Sequence, residues 1–267
     1  MVKLKNIFSK CYLALILLFL YAPILVLIVL SFNSSRSRVT WGGFTLDWYV
    51  RLFSNSQILE ALKTTLILGI ASAAIATVIG TLGAVGIQAM RKRSYQVVMS
   101  VTNIPILNAD IVTGIAMMLW FVRFFPLGFS SVLIAHITFN IPYVILSVMP
   151  KLKTLNLSIY EAARDLGASS VHAFFQIILP QIGSGILAGF FMALTMSLDD
   201  FVITYFTKGA GVNTLSTMIY GEIRKGIKPE MYALSTIMFA VIFIILLIFN
   251  FLTGRDKNTE EEVERSR

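Results

Sequence analysis

The chain has 267 residues and a formal net charge of +8, from 22 Lys and Arg against 14 Asp and Glu, yet only 13% of its positions are charged, about half the soluble norm of roughly 25%. With 57% hydrophobic residues and a mean hydropathy of +0.80, this composition excludes an ordinary soluble globule and points to an integral membrane protein. A single cysteine, Cys11, excludes an intrachain disulfide, and with only His136 and His172 beside it no Cys- or His-rich metal site is expected.

The apolar runs predict six spans in chain order. Cys11 to Phe32 supplies 22 uncharged residues, enough to cross a hydrocarbon core of about 30 Å and too long for a signal-peptide core. Thr64 to Met90 is the second span and stops at Arg91-Lys92-Arg93, a basic boundary of the cytoplasmic kind. Its small residues Gly69, Ala73, Ala76, Gly80 and Ala84 predict a helix buried at an interface. The third, Ser94 to Val122, carries only Asp110; the fourth, Phe124 to Met149, holds no charge beyond one on His136, which is expected to pack within its span. The fifth, Ile177 to Phe206, contains Asp199 and Asp200, and the sixth, Met231 to Thr253, contains none. Pro23, Pro105 and Pro142 are expected to kink their helices. Residues 254–267 form a polar tail that cannot bury enough surface to order itself.

An even number of spans puts both termini on one side. If that side is the cytoplasm, the amino-terminal lysines, the Arg91 cluster, Lys151, Lys153, Arg164 and the carboxy-terminal basic residues bring 13 of the 22 Lys and Arg inside, a modest positive-inside bias. The basic charge is thus largely topological, and nucleic acid is not an expected partner.

The segment between spans four and five, roughly 151–180, is long, polar and patterned. Ser158 and Glu161 have capping-box spacing, Ile159, Ala162, Ala163 and Leu166 fall on one helical face, and Gly167 suits a left-handed stop. A second short helix is expected from Ser169 or Ser170 toward Leu179 and Pro180. The run Glu161-Ala162-Ala163, three residues, Gly167, nine residues, Ile177, one residue, Leu179-Pro180 resembles without a gap the EAA signature of bacterial ABC importer permeases. Further residues are similar to the spermidine/putrescine permeases of the PotC type: Ser31 to Ser35, Trp41, Gly43, Phe44, Trp48 and Tyr49, Asp110-Ile111, Leu166 to Ser169, Ser197 to Asp200, and Lys228-Pro229-Glu230.

The resemblance implies an all-α, six-helix membrane bundle of the type I ABC importer transmembrane fold, residues 1–253, followed by a cytoplasmic tail, in the bacterial inner membrane with both termini cytoplasmic. Glu161, Ala162, Ala163, Gly167, Leu179 and Pro180 would then couple the chain to an ATPase. The implied partners are a second permease of the PotB type, a PotA-type ATPase dimer carrying ATP and Mg, and an extracytoplasmic polyamine-binding protein of the PotD type. Part of the latter's docking surface would come from residues 208–230.

The chain itself lacks the G-x-x-x-x-G-K-[ST] loop that cradles ATP phosphates, and no catalytic constellation is visible. It is therefore expected to be a transport subunit rather than an enzyme, with no cofactor or metal of its own. Acids inside spans are costly and tend to face a cavity or partner, so Asp110, Asp199 and Asp200, with Trp120 and Tyr205 near them in sequence, are the candidate cargo pathway. Adjacent helical residues diverge by about 100°, so one of Asp199 and Asp200 lines a route while the other caps or bonds a neighbour. Acids favour a cationic cargo, a polyamine; the alternatives are another small solute (an amino acid, thiamine or iron) carried by the same mechanism, or a proton-coupled transporter, which leaves the EAA segment unexplained.

Overall fold

The computed structural model describes the backbone of residues 2–37, 39–225 and 228–265 and the side chains of 10–37, 39–156, 158–223 and 228–248. In lipid every backbone polar group needs an internal partner, and the apolar runs accordingly fold as helices. In chain order these are α1 Val2–Ser31, α2 Asp47–Ser54, α3 Ser56–Gln88, α4 Lys92–Leu107, α5 Asp110–Phe124, α6 Phe129–Lys153, α7 Leu157–Asp165, α8 Ser170–Ala173, α9 Leu179–Gln181, α10 Gly183–Asp199, α11 Val202–Thr207, α12 Leu215–Lys225 and α13 Pro229–Arg265. Among the described residues there is no strand, only an isolated bridge between Asn33 and Phe44.

Among the described residues, four helices are long and apolar enough to cross a membrane: Lys10–Ser31, Ser56–Gln88, Phe129–Lys153 and Pro229–Ile248. The other two expected spans are each broken. Span three is not one helix but α4 and α5, bent by 103° at Asn108 and Ala109, and in span five Ser170–Gln181 meets α10 at 69°. Pro105 lies in the last turn of α4, and Asn108 and Ala109 are both extended, so the helix stops there and restarts at Asp110. In the second break, a π-helical turn, Phe174–Ile178, leads into Pro180; a widened turn tolerates the missing N–H of a proline. At the carboxy-terminal end α13 stays helical to Arg265 instead of lacking order. A helix needs only its own backbone bonds, and Glu and Arg are good helix formers. Ser266 and Arg267, the end of the expected tail, lie outside the described residues.

By their contacts the residues form two units, 1–59 with 219–243 and 60–218 with 244–267. In the first, the chain after α1 is knotted around Asn33. Its amide donates to the Thr40 carbonyl at 2.9 Å and its Oδ1 accepts from the backbone N–H of Gly42 at 2.8 Å. The Trp48 indole donates to the Asn33 carbonyl at 2.8 Å, Tyr49 OH bonds Ser31 Oγ at 2.7 Å, and Phe32 stacks on Phe44. These bonds explain the Ser31–Ser35 and Trp48-Tyr49 patterns: they close a loop between the first span and α2.

In the second unit α6 is central, packing on α10, α11 and α4, while α11 also packs on α5. One apolar core joins Ala73, Ala84 and Ile87 of α3 to Val144, Val148 and Met149 of α6 and Ala193 and Leu194 of α10. Another joins Phe121, Ala135, Phe139 and Ile203. The small-residue face of α3 does what its spacing predicts, with Ala73, Ala76 and Ala84 fully buried. At Gly80 the fit is closest, since a Cβ there would lie 2.7 Å from Val144 Cβ and 3.2 Å from the Ile141 carbonyl oxygen.

Candidate functional site

A buried polar seam joins the helices that carry the two apolar cores. Ser72 Oγ of α3 bonds Ser197 Oγ of α10 at 2.9 Å, Ser197 Oγ bonds His136 Nδ1 of α6 at 2.5 Å, and His136 Nε2 bonds Thr204 Oγ1 of α11 at 2.8 Å. The Asp200 carboxyl ends the seam. It accepts the Thr204 hydroxyl at 2.8 Å and the backbone N–H groups of Thr204 at 2.7 Å and Ile203 at 3.2 Å, and lies 3.4 Å from His136 Nε2. His136 is 3% exposed and Ser197 4%, so each link replaces a hydrogen bond that neither water nor lipid could supply.

The proton inventory orients one end of this chain. Thr204 has a single hydroxyl hydrogen and the carboxyl oxygen at 2.8 Å takes it, so the imidazole Nε2 must carry its hydrogen and donate. Asp200 thereby holds the first turn of α11, satisfying two of the N–H groups a helix start leaves free. The Asp200 carbonyl also accepts from Ser216 Oγ at 2.6 Å, tying α12 to the same break.

The five expected pathway residues separate. Asp200 is in the seam, whereas Asp199, the last residue of α10, and Asp110, the first of α5, are exposed. Among the described residues neither of these two is in an ion pair or side-chain hydrogen bond. Trp120 is exposed and lines a groove of about 540 Å³ with Ile104, Pro105, Met117, Phe121 and Ile134; Asn108 and Thr113, on either side of Asp110 in sequence, are also in its wall. Tyr205 is half exposed, and its ring lies tilted against that of Phe201 with centroids 5.3 Å apart. His136 was expected only to pack. Its role escaped a reading of the sequence because its partners lie 61 and 68 residues away; the signal present was Asp200 and Thr204 at i, i+4 in an apolar run.

Much of the segment expected to couple is exposed. α7 starts one residue before Ser158, capped not by Ser158 but by Asn156, whose Oδ1 accepts the Ser158 N–H at 3.1 Å. It ends as expected at Gly167, φ +90°, with Ala168 N–H donating to the Ala163 carbonyl and Gly167 N–H to that of Arg164, both at 3.0 Å. This is the paired closure that a left-handed residue permits. Arg164 adds a bond from Nη1 to the Ala168 carbonyl at 2.7 Å. Ser169 caps the next helix by accepting the His172 N–H at 3.2 Å. Glu161 and Ala162 are exposed, Ala163 is partly covered, and Leu166 is left 90% exposed.

In the span expected to meet a binding protein, Lys208 donates to Asn213 Oδ1 at 2.8 Å and partial burial pushes its ammonium below the ordinary lysine range. Lys228 pairs with Glu222 at 3.2 Å. Gly226 and Ile227 of that stretch lie outside the described residues.

Comparison with known proteins now identifies the frame in which these groups sit. The family described as a binding-protein-dependent transport system inner membrane component matches residues 76–255. The spermidine/putrescine transport system permease protein PotC of Escherichia coli K12 is 38% identical over 240 residues, 90% of either chain. The putrescine transport system permease protein PotI of the same strain is 34% identical over 258 residues, 93% of this chain and 92% of that one. Among solved structures, a bacterial alginate ABC transporter in complex with an alginate-pentasaccharide-bound periplasmic protein superposes with a TM-score of 0.71 at 19% identity, covering 95% of this chain and 96% of that one. The methionine transporter MetNI in an inward-facing form gives a TM-score of 0.63 over 75% of this chain. The likeness to these structures establishes the fold, that of an ABC importer transmembrane domain. The chain is an inner-membrane, multi-pass protein and belongs to the family of binding-protein-dependent transport system inner membrane components, the permease subunits of ABC importers.

Proposed function

We propose that the chain is one membrane subunit of an ATP-driven importer of polyamines, spermidine and putrescine, and forms half of its translocation pathway. The observation that carries this is the pair of uncovered carboxylates, Asp110 and Asp199, each at a helix break in an otherwise apolar span. A carboxylate kept in a span without an internal partner is costly unless something else neutralises it, and an ammonium group does so. The groove lined by Trp120 and Met117 suits the methylene segments between such ammonium groups, with the indole face adding cation–π attraction. In this reading Asp199 faces cargo and Asp200, committed to α11, does not. Tyr205, near the same break, is a weaker contact. The names of the PotC and PotI relatives support the cargo class.

Both termini lie in the cytoplasm, the permease domain comprises residues 1–253 and the polar tail 254–267. The exposed α7, with Glu161, Ala162, Ala163 and Gly167, seats in a groove of a PotA-type ATPase, and Leu179 and Pro180 transmit its displacement through the 69° bend into α10. A PotB-type permease supplies the other half of the pathway, and a PotD-type binding protein delivers cargo to the face that includes residues 208–230. ATP and Mg are bound by the ATPase.

Uptake of labelled spermidine and putrescine by proteoliposomes holding the assembled complex tests the reading. Asp110→Asn and Asp199→Asn are each expected to raise the cargo KM by about tenfold or more, the loss of a desolvated charge pair. Unchanged uptake by both variants would sink the cation pathway.

A further inference from the structure

Asp199 is the residue that the proposed function most depends on, and among the described residues its side chain makes no hydrogen bond or ion pair. The two residues around it are held. Ser197, two positions before, bonds His136 Nδ1 at 2.5 Å, and Asp200, one position after, is reached by His136 Nε2 directly at 3.4 Å and through Thr204 Oγ1 at 2.8 Å. One imidazole therefore holds α10 at Ser197 and, beyond Asp199, the break at residues 200–201. Its own placement is firm: the ring is buried on the central helix α6, whose Ala135 and Phe139 belong to one apolar core and whose Val144 belongs to the other. Ser72 extends the grip to α3 and Ser216 to α12, so four helices and the break converge on it.

Two hydrogen-bond inventories fit Ser197. Ser197 donates to an unprotonated Nδ1, or Nδ1–H donates to Ser197 while Ser72 closes the chain on the Gly69 carbonyl at 3.2 Å. In both, Nε2–H points at the Thr204 and Asp200 oxygens, so the half of the grip nearest Asp199 does not depend on the charge of the ring.

We infer that His136 is a positioning residue for cargo recognition: by clamping Ser197 and Asp200 it fixes the helix break so that the Asp199 carboxylate is presented to a cationic cargo. This rests on the reading of Asp199 as cargo-facing. Preorganised charge is worth more than charge that must first be oriented, so loss of the clamp raises KM for cargo more than it lowers the maximal rate.

The imidazole can be replaced one nitrogen at a time. A glutamine amide nitrogen reaches the place of Nε2 and donates to Thr204, whereas an asparagine amide reaches only the place of Nδ1. In the reconstituted complex, His136→Asn and His136→Leu are expected to raise the spermidine KM by about tenfold with the maximal rate within about twofold, and His136→Gln to stay near wild type. A merely structural role would make the two amides equivalent; equal KM values for Asn and Gln, or for Leu and wild type, overturn the inference. Asp199→Asn measured in parallel separates the two levels. If it leaves KM unchanged, the cargo-facing reading falls and the inference falls with it; if it raises KM while His136→Asn does not, only the clamp falls. A readout without transport uses Cys11→Ser with Asp199→Cys and a cationic methanethiosulfonate. Adding His136→Asn is expected to change the modification rate about tenfold where His136→Gln does not, and equal rates in all three backgrounds count against the clamp.

Discussion

The coupling segment and the His136 seam are both polar features of an apolar chain, and they are built in opposite ways. α7 is held by bonds that reach no more than five residues, from Asn156 to Ser158 at its start and from Ala168 to Ala163 at its end. The seam is held by bonds between residues 61, 68 and 125 apart. The first is largely exposed and packs mainly on α8 and the π-helical turn that follow it, leaving Leu166 for a partner; the second has no surface to offer and acts only on what it holds. An exposed element advertises its chemistry in consecutive residues, while a buried one distributes it over the fold.

The largest effects that would break this contrast lie in α7. Glu161→Lys and Gly167→Val are expected to abolish co-purification of the ATPase while the subunit inserts normally, since beyond its chain neighbours a Gly167 Cβ would meet nothing within 4 Å and the damage is confined to the φ +90° backbone and the docking face. Normal co-purification would remove the docking role. Next, Gly80→Val tests the buried side: with Val144 Cβ 2.7 Å from the new Cβ, overpacking is expected to cost about 1–3 kcal/mol, read as a lowered unfolding midpoint of the purified subunit. An unchanged midpoint would mean that α3 and α6 do not approach so closely.

Smaller effects sharpen the seam itself. Ser72→Ala removes its α3 end, and about 1 kcal/mol of stability is expected to go with the 2.9 Å bond to Ser197; no loss would leave the seam anchored on α6 alone. Asn140, one turn along α6 from His136, is 1% exposed, and neither Oδ1 nor Nδ2 has a hydrogen-bond partner among the described residues. Because an unmatched buried amide is unfavourable, Asn140→Leu is expected to leave the unfolding midpoint equal or higher, and a drop like that of Ser72→Ala would show that the amide is bonded.

How much could be read beforehand follows from the same contrast. The glycine stop at Gly167, the small face of α3 and the apolar runs were legible, because each depends on local spacing or on hydrophobicity that adds along the chain. The capping residue moved from Ser158 to Asn156, since either spacing can cap and only the realised helix start decides. The breaks at Asn108–Ala109 and near Pro180 were not legible as bends of 103° and 69°, because an apolar run long enough to span does not report whether it stays one helix.

Composition and motif by themselves determined that this chain is an importer's membrane subunit with a patterned polar helix between two spans, because lipid imposes its length and polarity requirements residue by residue. Which of two adjacent acids is bound inside, and that a histidine in another span holds it, was decided only by tertiary structure. The reason is that a hydrogen bond needs its two atoms within about 3 Å, and for Asp200, His136 and Ser197 that proximity exists only once α6 has packed on α10 and α11.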